Sequence, residues 1–227
     1  MKRENCLLII AGPSAVGKTT VAYTLIERDP RYEFVRSVTT RQSRGDAYDA
    51  EYIYITADEF RELIANGGVL EHTEYAGNLY GTPRSEVVRI LSEGKIPLLV
   101  LDINGVHSIE RTKGELNPCG VYVYDDLNVA EQRLYDRFIG NSPTPDGLRR
   151  FVSRKEQNIK DFLGMEESAG AFYAFLHNGG TVAEAADRME EIFADFCIGG
   201  ERDGDKIAAV ARSLAASARE KVGATEG

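Results

Sequence analysis

An α/β fold on a parallel sheet is what this sequence predicts, and three observations predict it. Leu7-Leu8-Ile9-Ile10 is a short continuous apolar run that ends in glycine and proline, as a strand buried on both faces does. Ile96 to Ile103 and Val121 to Tyr124 repeat that character. Segments of helical period fall between and after these runs. That rhythm is the one a three-layer parallel-sheet core requires.

Each element has its own warrant. Lys18 to Arg28 reads as the first helix, with Val21 and Leu25 on one face. Phe34 to Thr40 and Glu51 to Ile55 read as strands. Thr56-Ala57-Asp58-Glu59 is a capping box, with Phe60, Leu63 and Ile64 following at helical spacing and Gly68 as the stop. Val69 to Tyr75 and Leu79-Tyr80 flank Ala76-Gly77-Asn78, which reads as a hairpin. Asn128 to Glu131 caps a helix through Phe138, on which Ala130, Leu134 and Phe138 align. Residues 139–149 are rich in glycine and proline and read as a loop. Arg133 and Arg137 precede that loop; Arg149, Arg150 and Arg154 follow it. Thr181-Val182-Ala183-Glu184 is a second capping box, opening a helix striped by Val182, Ala186, Met189, Phe193 and Phe196. Gly199-Gly200 breaks the chain, and an alanine-rich helix follows with Ile207, Val210, Leu214 and Ala218 at helical spacing. One domain is expected, with a core of 1–32, 83–132 and 155–198, a small β-rich lobe at 33–82, a lid at 133–154 and an extra C-terminal helix at 203–222.

Composition narrows the function. Hydrophobic residues make up 43% and charged residues 28%, ordinary for a soluble globular chain. The formal net charge of −9 argues against wrapping duplex nucleic acid. Positive charge for a polyanionic ligand must therefore be placed locally. Cys6, Cys119 and Cys197 suggest neither a disulfide framework nor a zinc site, and His72, His107 and His177 lack metal-ligand spacing. No run approaches a membrane span, and the apolar run near the N-terminus is too short for a signal peptide. A cytoplasmic protein without nucleic-acid or membrane partners is expected.

The strongest chemical signal is Gly12-Pro13-Ser14-Ala15-Val16-Gly17-Lys18-Thr19, which fits G-x-x-x-x-G-K-[ST] between a predicted strand and a predicted helix. Glycines let the backbone curl so that several N–H groups face one phosphate chain, and the helix N-terminus adds partial positive charge. Lys18 suits the β- and γ-phosphates, and the Thr19 hydroxyl suits magnesium. The motif alone says nucleoside triphosphate, since GTPases and motor ATPases share it.

A second stretch discriminates. In Ser37-Val38-Thr39-Thr40-Arg41-Gln42-Ser43-Arg44, two arginines three apart form a clamp for another phosphate, because guanidinium groups bind phosphate bidentately. A solvated basic loop is the plainer alternative. Glu71 follows in the same lobe with Tyr52 and Tyr80. A carboxylate accepts hydrogen bonds from both N1–H and N2–H₂ of guanine, a pair that adenine does not offer. Taken alone, such a glutamate is more often a surface residue.

The phosphate loop, Ser37-Val38-Thr39-Thr40-Arg41-x-x-Arg44, Glu51-Tyr52, Leu70-Glu71, Gly77-Asn78-x-Tyr80-Gly81-Thr82 and Leu101-Asp102-Ile103 occur in an order that resembles guanylate kinases. The resemblance implies a P-loop core with a β-rich GMP-binding lobe and a lid. It implies transfer of phosphate from ATP to GMP with Mg²⁺. A monomer or a homodimer is expected. ATP would lie on residues 12 to 20, Gly12 to Thr20, with Asn178 beside the adenine. Ser37, Arg41, Arg44, Tyr52 and Tyr80 would hold the GMP phosphate and its surroundings, and Glu71 and Thr82 would read guanine. Arg137 and one of Arg149 or Arg150 would reach the transferring group from the lid, joining Lys18 and Arg41 in neutralising charge. Asp102 would organise magnesium with Thr19. Asn104 stands where the family carries a second acid, and would accept a hydrogen bond from the acceptor base without charge. Two other readings stay open: a P-loop kinase with a different small acceptor, and a silent binding module on the same fold.

Overall fold

The computed structural model describes residues 3–43, 45, 51–75, 77–111, 115–140 and 142–223. In chain order the core opens with β1 (Cys6–Ala11), α1 (Lys18–Arg28) and β2 (Tyr32–Phe34). The lobe carries β3 (Ser37–Thr39), β4 (Tyr52–Tyr54), α2 (Ala57–Ala65), β5 (Val69–Tyr75) and β6 (Asn78–Pro83). The chain returns through α3 (Arg84–Ser92), β7 (Ile96–Leu101), α4 (Ile103–Glu110), β8 (Asn117–Tyr124), α5 (Leu127–Phe138) and α6 (Pro145–Leu163). It ends in α7 (Met165–Ser168), β9 (Ala174–His177), α8 (Val182–Ile198) and α9 (Gly204–Gly223).

The core is an α/β arrangement around a five-stranded sheet of order β2-β7-β1-β8-β9, parallel throughout. Central β1 alternates its side chains between two apolar clusters, which is why its sequence is apolar without interruption. Leu7, Ile9 and Ala11 join Val87, Ile90, Ile109, Phe162, Ile207 and Leu214 on one face. Leu8 and Ile10 join Val21, Leu25, Ala186, Met189 and Phe193 on the other. Helix α9 thus closes the first face through Ile207, Ala211, Leu214 and Ala218. The lobe sheet has the order β4-β3-β6-β5, with β5 and β6 antiparallel. No described helix is long and apolar enough to cross a membrane.

Both capping boxes form as the sequence predicts, Thr56 with Glu59 and Thr181 with Glu184. Four boundaries differ from the sequence reading. Tyr32–Phe34 pairs with β7 in the core sheet, so the lobe begins after it. The apolar run at 96–103 stops being a strand at Leu101, because Asp102 turns the chain and caps α4 through Gly105 N–H at 2.8 Å. Helix α5 is capped by Asp126 rather than Asn128. The segment at 139–149 is loop only to Thr144. The Thr144 hydroxyl accepts from Gly147 N–H at 3.0 Å, and Pro145 occupies the first turn, where its missing N–H costs nothing. Arg149 and Arg150 are therefore helical.

Candidate active site

The phosphate loop joins the C-terminal end of β1 to the N-terminus of α1. Gly12 sits at φ 144°, and a Cβ there would lie 2.0 Å from the Val123 carbonyl oxygen, so only glycine fits. Gly17, at φ 88°, is the N-cap of α1. Between them Ala15 holds a left-handed φ of 67°. Three side chains grip this loop from outside. Asn158 accepts from Ser14 N–H at 2.7 Å and donates back to the Ser14 carbonyl at 3.1 Å. Asn178 donates to the Val16 carbonyl at 2.7 Å. Arg133 reaches the Ala15 carbonyl at 3.4 Å and pairs with buried Asp125 at 2.9 Å.

Lys18 folds back over the loop and donates to the Gly12 and Pro13 carbonyls at 2.7 and 2.6 Å. Loss of surrounding water brings its pKa down to about 8; Asp161 opposes the fall, Arg154 adds to it and Asp102 opposes it. Asp161 is pushed the other way, upward, by its own burial, against the hydrogen bond from Gln157. Thr19 and Thr20 are exposed at the start of α1.

Two cavities flank Lys18. One of about 610 Å³ is lined by Thr19, Arg133, Arg137, Arg154, Asn178 and Val182. The other, about 560 Å³, is lined by Gly12, Asp102, Asn104, Arg154, Gln157 and Asp161. Both have the size of small-ligand pockets. Arg154 lines both, and Arg137 lines the first with its guanidinium carbon 5.4 Å from the Phe138 ring centre. Arg149 and Arg150 line neither; they bond Asp146 one turn back at 3.3 and 2.8 Å.

The lobe gathers the remaining predicted residues. Ser37 stands opposite Tyr52 in the β3–β4 pairing, and Thr39 opposite Tyr80 in β3–β6. The Arg41 guanidinium donates to the Tyr54 hydroxyl at 3.1 Å and lies 5.1 Å from the Tyr52 ring centre, a cation held over aromatic faces. Tyr52 and Tyr80 meet edge to face at 6.2 Å. Arg44 lies outside the described residues. Glu71 and Thr82 are directly opposed on β5 and β6, and the Thr82 hydroxyl donates to Glu71 Oε1 at 2.6 Å. Burial raises the Glu71 pKa; the Thr82 hydrogen bond opposes the rise and the Asp102 charge adds to it.

Sequence reasoning missed Tyr54, Asn158 and Asp161, and saw in Arg154 only one of a crowd. The signal for three of them was periodicity. Arg154, Asn158 and Asp161 are spaced i, i+4 and i+7, one face of α6.

The guanylate kinase family model matches residues 4–193 of the chain. The guanylate kinase of Lactobacillus johnsonii is 33% identical over 197 residues, covering 85% of this chain and 89% of that one. The guanylate kinase of Lactococcus lactis is 34% identical over 196 residues, covering 85% and 88%. The crystal structure of guanylate kinase from Anaplasma phagocytophilum aligns with a TM-score of 0.57 at 24% identity, over 88% of this chain and 90% of its own, and so shares the fold.

Proposed function

Because this chain belongs to the guanylate kinase family, we propose that it phosphorylates GMP with ATP, giving ADP and GDP, as a step of purine nucleotide metabolism. The observation that carries the acceptor assignment is the Glu71–Thr82 pair, a carboxylate fixed at 2.6 Å from a hydroxyl in the lobe that also holds Arg41. A carboxylate held in this way accepts from N1–H and N2–H₂ of guanine together. Asn104, in the first turn of α4, adds a neutral acceptor from the core side.

The transfer is in line. An oxygen of the GMP phosphate forms a bond to the γ-phosphorus of ATP as the bond to the β,γ-bridging oxygen breaks, and ADP leaves. The attacking oxygen is already anionic, so no protein nucleophile is needed. Positioning and charge neutralisation then carry the catalysis. Ser37, Arg41, Arg44, Tyr52 and Tyr80 hold the acceptor phosphate. Gly12 to Thr20 hold the donor phosphates, with Asn178 at the adenine end. Lys18, Arg137 and Arg154 are already beside the loop and neutralise the transferring group. One of Arg149 or Arg150 joins them when the lid moves and its bond to Asp146 breaks. Closure also excludes water from the donor.

Among the described residues no group of three or more His, Cys, Asp or Glu is placed to hold a metal ion. Mg²⁺ needs no such group, since it keeps several waters and is bound through one or two protein oxygens plus substrate phosphates. The exposed Thr19 hydroxyl and the Asp102 carboxylate, fixed by its bond to Gly105 N–H, are hard oxygen donors of that kind. When bound, the ion would draw charge from the β- and γ-phosphates.

Separation of the products tests the reaction. With ATP, GMP and Mg²⁺, ADP and GDP are expected in equal amounts. ADP and inorganic phosphate without GDP would instead mark a nucleoside triphosphatase.

A further inference from the structure

Asn158 is only 3% exposed, on the face of α6 that meets the phosphate loop. Both polar atoms of its side chain are spent on one residue, Ser14, which is 144 positions away in sequence. The Ser14 N–H can only donate and its carbonyl can only accept, so the amide has a single satisfactory orientation. The peptides of the loop are trans. In a trans peptide the carbonyl and the next N–H point in opposite directions. Holding the Ser14 carbonyl therefore turns the Ala15 N–H away from Asn158. Asn178 does the same two peptides further on, because holding the Val16 carbonyl turns the Gly17 N–H away from it. Ala15 and Gly17 both line the first cavity.

Between the two clamped carbonyls lies Ala15, in a left-handed conformation at φ 67°. For a residue with a Cβ that conformation costs roughly 1–2 kcal/mol. It persists only where the surroundings over-determine it. The two asparagines on either side, with Arg133 on the Ala15 carbonyl itself, over-determine it here.

The support for Asn158 is itself packed and paired. Phe162, one turn on, is 1% exposed in the same apolar cluster as Ile207, Ala211 and Leu214 of α9. Lys155 pairs with Glu131 of α5 at 2.5 Å, and Lys221 of α9 pairs with the same carboxylate. The stretch of α6 that bears Asn158 is thus braced from two sides, while Arg149 and Arg150 near its N-terminus are exposed.

We propose that Asn158 is a positioning residue for the donor nucleotide: it sets the peptide orientation at Ser14 and Ala15 so that the loop is shaped for phosphate before ATP arrives. This rests on the donor half of the reading above, ATP on the phosphate loop, and not on the identity of the acceptor. It assigns a job to a residue that lines neither cavity beside Lys18.

The test compares wild type with Asn158→Ala and Asn158→Asp. The aspartate keeps the size and the acceptor for Ser14 N–H, but it sets a second acceptor against the Ser14 carbonyl. The first readout is affinity for a fluorescent ADP analogue in the absence of any acceptor. The second is KM for ATP against KM for GMP. Thermal unfolding is recorded for all three proteins. Both variants should bind the ADP analogue roughly tenfold more weakly or worse, the worth of one lost hydrogen bond or more. KM for ATP should rise in step while KM for GMP stays within about twofold, since the acceptor lobe is untouched. Asn158→Asp leaves no cavity and Asn158→Ala buries no charge, so the same loss of ADP affinity in whichever variant keeps its unfolding transition has neither as its cause.

Unchanged ADP affinity in a folded variant would overturn the proposal. So would equal increases in both KM values, which mark general loosening. Wild type that binds the ADP analogue but fails to phosphorylate GMP would contradict the acceptor reading alone, and the affinity comparison would still decide the role of Asn158.

Discussion

The Thr82 hydroxyl donates to Glu71 Oε1 at 2.6 Å across the β5–β6 ladder, where the two residues stand directly opposite each other. The register of one hairpin thus aims a carboxylate and fixes one of its oxygens. Glu71→Gln keeps the shape and removes the charge. Hydrogen bonds to charged groups contribute about 1.5–3 kcal/mol each, so kcat/KM for GMP should fall at least about tenfold. The thermal midpoint should rise, because burial disfavours the ionised glutamate. A variant that loses GMP turnover and gains stability supports the assignment. One that loses both points to a structural carboxylate.

The same residue sets a pH dependence. The Glu71 carboxyl titrates above its ordinary 4.5 because burial disfavours the charge. With the folded pKa above the unfolded one, its contribution to stability is present below pH 4.5 and lost as pH rises through the folded value. The guanine recognition proposed for Glu71 needs the ionised form and runs the opposite way. KM for GMP should rise on acidification, beginning at a higher pH than an ordinary glutamate would give. Initial rates at varied GMP across this range check it, and Glu71→Gln should flatten the profile.

Ala15→Gly probes the strained loop. Glycine removes the left-handed penalty of roughly 1–2 kcal/mol but loses about 0.5–1 kcal/mol of backbone entropy. A net gain of between about 0 and about 1.5 kcal/mol is expected from chemical denaturation. A clear loss would mean that the loop does not hold Ala15 at φ 67° in solution.

The arginines should separate by position. Arg154 lines both cavities beside Lys18, whereas Arg149 and Arg150 are paired with Asp146 on an exposed helical turn. Single-turnover rates should fall about 10³-fold in Arg137→Ala and Arg154→Ala, the lower range for an arginine that neutralises a phosphoryl group. Arg149→Ala and Arg150→Ala should each cost less. A larger loss at either of those two would mean that lid closure contributes more charge than the preplaced pair.

Much of this was written locally in the chain. Leu7 to Ile10 betrays a strand buried on both faces because no position needs a polar side chain. Thr56 with Glu59 and Thr181 with Glu184 mark helix starts because each box satisfies its own N–H groups. What escaped detection depends on distant partners. Gly147 reads as a breaker, yet it lies inside α6, where a Cβ would sit 2.2 Å from the Phe138 carbonyl oxygen. Asn158 shares a helical face with Arg154 and Asp161, but no local pattern names its partner, which is a backbone segment of another element. Tyr54 became part of the Arg41 cradle only through the pairing of Thr39 with Tyr54 on β4. Ile103 extended an apolar run in sequence, but the Asp102 cap placed it in a helix.

The most direct measurement is ATP consumption with Mg²⁺ across GMP, IMP, AMP, CMP and UMP, for wild type and Glu71→Ala side by side. Turnover should be confined to GMP, with IMP far slower because it lacks the N2 amino group, and should be lost in the variant. Comparable turnover of GMP and AMP, or full GMP turnover in Glu71→Ala, would contradict the assignment of Glu71 as the group that reads guanine.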